Sequence, residues 1–255
     1  MFRRYAPALV FVLSAALMAL ALRLTWDAPI AGAALFTTLL VGLGFRAFAQ
    51  RRMREALRSG NIERVLARWS KTVRGVPHPE TMGPLMEATA FAAYGWVERA
   101  RAALSQAERG PAWDAAVEHR LFVDTLLLTF EGDLEEAEQS AARLERLPLP
   151  SAAPAMVRRI AVLRGAVGAL TRAFSHKSRE GDEVLMLQAG SSSPLVHWAM
   201  RYGAAVFAID DGDLEAADKL VSNAPRWPEQ SRFHRFHHEI VAEVARRRAD
   251  LLAKA

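Results

Sequence analysis

The densest group of side chains able to hold a metal or move a proton lies near the C-terminus, in Arg232-Phe-His-Arg-Phe-His-His238. His234 and His238 are four residues apart, which on a helix sets both imidazoles on one side at the spacing of two zinc ligands. A zinc site needs at least a third protein ligand, and the sequence marks none. His237 falls on the face of Phe233, where packing accounts for it. Ser191, Ser192 and Ser193 could supply a nucleophile only with a base in reach, and no neighbouring His and acid mark one. The stretch Gly190 to Pro194 reads as a loop before a helix. Asp210, Asp211 and Asp213 read as turn and cap residues rather than an acid/base or metal cluster. Gly-x-Ser-x-Gly, Gly-x-x-x-x-Gly-Lys and His-Glu-x-x-His are all missing. The chain holds 0 cysteines, which excludes disulfides, thiolate ligands and thiol nucleophiles. The reading is of a non-enzymatic protein without a cofactor. A metal-dependent enzyme or regulator built on the His-rich helix is the alternative.

The elements that would position such residues begin with a division of the chain. Tyr5 to Leu22 and Ala28 to Phe45 are uncharged, whereas charges recur every few residues from Arg46 onward. The net charge of +5 is uneven, because residues 1–74 hold twelve Lys and Arg against three Asp and Glu, and the remainder is net acidic. A nucleic-acid binder would carry its basic stripe on the folded domain, so nucleic acid is set aside. Each uncharged run has 18 residues, roughly 27 Å of helix at about 1.5 Å per residue, close to the hydrocarbon thickness of a bilayer. The expectation is an antiparallel transmembrane hairpin over residues 1–48, with Asp27 and Pro29 opening its second helix. Arginines flank both outer ends, at Arg3, Arg4, Arg46, Arg51, Arg52, Arg54 and Arg58, and the turn Leu24 to Ala28 has none. The expected protein is therefore two-pass, with both termini cytoplasmic. A cleavable signal peptide over the first run is the competing reading.

Beyond residue 48 a motif recurs: Gly60-Asn-Ile-Glu-Arg-Val65, Gly95-Trp-Val-Glu-Arg-Ala100, Gly132-Asp-Leu-Glu-Glu-Ala137 and Gly212-Asp-Leu-Glu-Ala-Ala217. The spacings are 35, 37 and 80 residues, the last reading as two periods with a degenerate unit between. Periods near 34 signal stacked helical hairpins. Gly ends one helix where φ > 0 is needed, Asp or Asn caps the next, and the following aliphatic and small residues pack back on the first helix. Pro77, Pro111, Pro148 and Pro225 follow where each second helix should stop. Two glycines compete for the break of the fourth unit, Gly168 and Gly181.

The pattern resembles the tetratricopeptide repeat family, most plainly at Gly132 to Ala137 and Gly212 to Ala217. It departs from that family in having an aliphatic residue after Gly-Asp. The resemblance implies an all-α solenoid of about five hairpins over residues 49–228, followed by a capping helix over residues 229–255. On that cap Phe233, Phe236, Ile240 and Val244 share a face. It also implies a scaffold or adapter whose first helices line a concave surface. Counting back from the motif glycines sets Met82, Leu85, Met86, Phe122, Leu126, Phe130, Tyr202 and Val206 on that lining. Almost none is charged, which suits the apolar face of an amphipathic helix from a partner protein. The same residues could instead be core, and the repeats could merely space or oligomerise the chain.

Overall fold

The computed structural model describes residues 29–73 and 75–254, together with residues 15, 16, 19 and 23. The chain is all-helical, with no strand among the described residues, and divides into two units, Met1–Arg54 and Glu55–Ala255.

Apart from residues 15, 16, 19 and 23, the described part of the first unit lies in helix α1 (Pro29–Arg58), with Pro29 at a first-turn position where its missing N–H costs nothing. Ile30, Phe36, Leu40, Val41, Phe45 and Phe48 are each more than half exposed. The hydroxyls of Thr37 and Thr38 donate back to the Ala33 and Ala34 carbonyls at 2.8 Å. Gly42 has nothing within 4 Å of the space a Cβ would fill. No helix among the described residues is long and apolar enough to cross a membrane. Within α1 the uncharged stretch ends at Phe45 and is diluted by Gly42, Gly44 and the two threonines. It falls short of the roughly 20 predominantly apolar residues that a span requires, and arginines follow it. The expected two-pass anchor with both termini cytoplasmic therefore does not stand. The first uncharged run, apart from Ala15, Ala16 and Ala19, and the turn with Asp27 lie outside the described residues.

In the second unit the motif glycines are the turns of helical hairpins. The end of α1 is followed across Gly60 by α2 (Ile62–Val73), which packs on α3 (Pro79–Ala93); α3 pairs with α4 (Val97–Glu108), and α5 (Val117–Glu131) with α6 (Leu134–Arg146). After these come α7 (Pro154–Phe174) with α8 (Asp182–Ser192), α9 (His197–Asp211) with α10 (Leu214–Val221), and a last helix, α11 (Arg232–Lys254). Gly60, Gly95, Gly132, Gly181 and Gly212 all have φ between 72° and 97°, the left-handed region that only glycine enters without strain. Asn61 and Asp213 accept from the N–H of Arg64 and Ala216, at 3.0 and 2.9 Å, and so cap α2 and α10. The fourth break is Gly181. Gly168 lies inside α7, where a Cβ would sit 2.4 Å from the Glu145 carboxylate. Ser191 and Ser192 are not loop but the last turn of α8, their hydroxyls bonded back to Gln188 and Ala189.

Successive first helices pack side by side, α3 on α5, α5 on α7 and α7 on α9. The stack then returns to its beginning, with the turn Pro194–Val196 before α9 touching α3. Trp198 donates its indole N–H to the Arg58 carbonyl at 2.7 Å, and the Tyr94 hydroxyl donates to Leu57. At Gly60 a Cβ would meet Pro225 at 2.8 Å and Trp227 at 3.1 Å. This seam joins the fifth unit to the first.

Candidate functional site

The surface formed by the first helices is where the sequence places a binding groove, and α11 is laid on part of it. Phe233 of α11 is fully buried at the middle of an aromatic cluster. Its ring centroid lies 5.3 Å from Phe130, 5.1 Å from Tyr202 and 5.0 Å from Trp227. Phe236 reaches Phe174 at 5.0 Å and Phe130 at 5.8 Å. Ring separations in this range are the favoured tilted and edge-on arrangements. Ile240 and Val244 continue the buried stripe, so the expected apolar face of the last helix is observed.

The start of α11 is tied down by polar bonds as well. Ser231 donates to the Tyr94 carbonyl at 2.7 Å, and the Arg232 N–H donates to the Gly95 carbonyl at 2.8 Å. Trp227 donates to the Tyr202 hydroxyl at 2.7 Å. Burial raises the Tyr202 phenol well above its ordinary value. The residue is thus a neutral hydrogen-bonding anchor in the core.

Of the eight lining residues, Leu85, Leu126, Phe130 and Tyr202 are buried to within about 1% and belong to the core. For Phe130 and Tyr202 the cover is α11, and an incoming helix would find that ground occupied. Met82, Met86, Phe122 and Val206 are half-buried. Met82 and Met86 sit in the first turn and at the middle of α3, and Phe122 in the N-terminal half of the adjacent α5. With Val206 on α9 they are the part of the predicted lining that keeps some access to solvent.

His234 and His238 meet edge-on with ring centroids 4.6 Å apart. Among the described residues no three His, Asp or Glu side chains converge on a position that could hold a metal. His237 turns its Nδ1 toward the Tyr202 hydroxyl at 3.4 Å, and burial, then its two histidine neighbours, push its pKa down. At the seam, burial lowers His197 to about 4, opposed by its bond to the Gly190 carbonyl and assisted by Arg58 and Arg201.

Sequence reasoning missed the seam aromatics Tyr94, Trp198 and Trp227, and the Ser231 anchor. Each carries one polar atom on an otherwise apolar or small side chain, and each finds its partner far along the chain. Nothing local in the sequence signals such pairings.

No protein-family model matches the chain, and no curated protein or solved structure proves significantly similar to it.

Proposed function

We propose that this chain is a non-catalytic helical-repeat scaffold that binds the apolar face of an amphipathic helix of a partner protein, using Met82, Met86 and Phe122. The observation that carries the reading is α11. The inner surface of the repeats already takes one amphipathic helix, the chain's own, through a stripe at Phe233, Phe236, Ile240 and Val244. Met82, Met86 and Phe122 extend the same first-helix surface with side chains that are only half covered. Methionine adapts its unbranched chain to irregular apolar partners, which suits it to such a contact. The resemblance of the motif units to tetratricopeptide repeats supports the same class of function.

The test is a photo-crosslinking amino acid at position 86 in cells of the native source, followed by reconstitution with the helix identified. Met86→Asp and Phe122→Asp should keep their helical signal and melting temperature yet bind that helix at least tenfold more weakly. If folded variants bind it unchanged, or if crosslinks form only between copies of this chain, the adapter reading fails. Should the Asp variants unfold, Met86→Gln and Phe122→Ala carry the same comparison.

A further inference from the structure

At the second hairpin, the bond from the Arg232 N–H to the Gly95 carbonyl brings the starts of α4 and α11 side by side. Between them lies a cleft of about 450 Å³. Its floor is largely apolar, with Trp96 on one wall, and its charged lining is Arg99, Arg232 and Arg235 against Glu98 and Glu229. Three guanidinium groups thus gather in a stretch of chain that is otherwise net acidic.

Arg235 is paired with Glu239 at 3.2 Å, whereas Arg99 and Arg232 are poorly matched. Arg99 holds its central carbon 4.9 Å from the Phe91 ring centroid and 5.3 Å from that of Trp96, and among the described residues it has no ion pair and no side-chain hydrogen bond. Its N–H donors have no acceptor among the described residues. Arg232 reaches Glu98 only at 3.7 Å, and that carboxylate is 72% exposed, a loose surface pair of little strength. The Trp96 indole N–H is buried with no partner. What this arrangement lacks is a planar acceptor that can take two parallel N–H bonds, which is the geometry of a carboxylate.

We propose that the cleft between the starts of α4 and α11 binds an acidic peptide segment, one carboxylate seated on Arg99 and Arg232 and an adjoining apolar side chain against Trp96. The site is independent of Met82, Met86 and Phe122. The two carboxylates of Glu98 and Glu229 in the lining repel a compact dianion such as phosphate more than a singly charged side chain. The apolar floor adds contact area that only a peptide uses.

The experiment titrates the full chain with the blocked tripeptides acetyl-Glu-Phe-Glu-amide and acetyl-Gln-Phe-Gln-amide, and with inorganic phosphate. Binding is followed through the indole N–H resonance of Trp96, assigned with Trp96→Phe. The Glu peptide should give a saturable shift and the Gln peptide none. Affinity should fall at least tenfold in Arg99→Gln and stay unchanged in Arg109→Gln, an exposed arginine outside the cleft. The proposal is overturned if no saturable shift appears, if Arg99→Gln binds as well as the parent, or if the Gln peptide binds equally. It is also overturned if phosphate displaces the Glu peptide at equal concentration. Should Arg99→Gln lose its helical signal, Arg232→Gln is read against the same four outcomes.

Discussion

Two groups of glycine turns share one backbone conformation, yet they sit in different surroundings. Gly132, Gly181 and Gly212 have positive φ and nothing within 4 Å of the space a Cβ would fill. Gly60 and Gly95 have the same φ and are also crowded, Gly60 by Pro225 and Trp227, Gly95 by the Phe233 ring at 2.9 Å and its backbone nitrogen at 3.1 Å. At the open turns glycine answers to the chain's own geometry. At the other two it answers as well to elements more than a hundred residues away. A short local signature can therefore specify a bend without revealing how much of the fold leans on it.

The largest test of this difference is Phe233→Ala, which removes the side chain that covers Gly95 and joins four aromatic neighbours. The expected loss is about 4 kcal/mol by chemical denaturation. A loss under about 1 kcal/mol would mean that α11 is a detachable cover rather than core. Gly95→Ala comes next, at about 3 kcal/mol from left-handed strain and overpacking together. Gly132→Ala should cost about 1 kcal/mol, and Gly132→Asn less, since asparagine tolerates this conformation. Equal melting temperatures for Gly95→Ala and Gly132→Ala would erase the distinction between crowded and open turns.

The seam should also show itself in pH dependence. His197 is a base whose folded-state pKa, about 4, lies below the ordinary value of 6.5. The unfolded chain therefore binds a proton that the folded chain refuses. The stability tied to neutral His197 is fully present above about 6.5, is lost as pH falls toward 4, and changes no further below that. With partial exposure discounted, the loss is about 2 kcal/mol. The difference in stability between the parent and His197→Asn should change across that window by this amount. A flat difference would remove His197 from the seam's energetics.

The smallest contrast lies between two caps of the same type. Asp213 accepts from the Ala216 N–H, whereas Asp133 opens α6 with no side-chain cap bond. Asp213→Ala should cost about 1 kcal/mol and Asp133→Ala a few tenths, both read by melting temperature.

What the sequence disclosed was local. The glycine turns at 60, 95, 132 and 212, the prolines closing the second helices, and the buried stripe of α11 all follow from chain conformation and from a helical period. Gly168 and Gly181 could not be separated, because a glycine kept for the space it leaves beside Glu145 and one kept for positive φ are spelled alike. The eight predicted lining residues all fall on first helices, but Leu85, Leu126, Phe130 and Tyr202 are core. An apolar residue on a first helix has the same pattern whether a partner, a neighbouring hairpin or the chain's own last helix covers it. The uncharged stretch of α1 shows the same limit, since absence of charge does not distinguish a span from a helix whose apolar side chains are diluted by glycine, alanine and threonine.

The return of the fifth unit to the first bears on how this architecture can change. In an open array each unit touches only its neighbours, so units can be duplicated or deleted and the ends can fray. Here Trp198 on Arg58 and Pro225 against Gly60 make the last unit a neighbour of the first. Removing one hairpin would break two interfaces and misplace the closing contacts. Adding one would hold the ends apart. The number of hairpins is thereby tied to the closing contacts, which an added or deleted hairpin would separate.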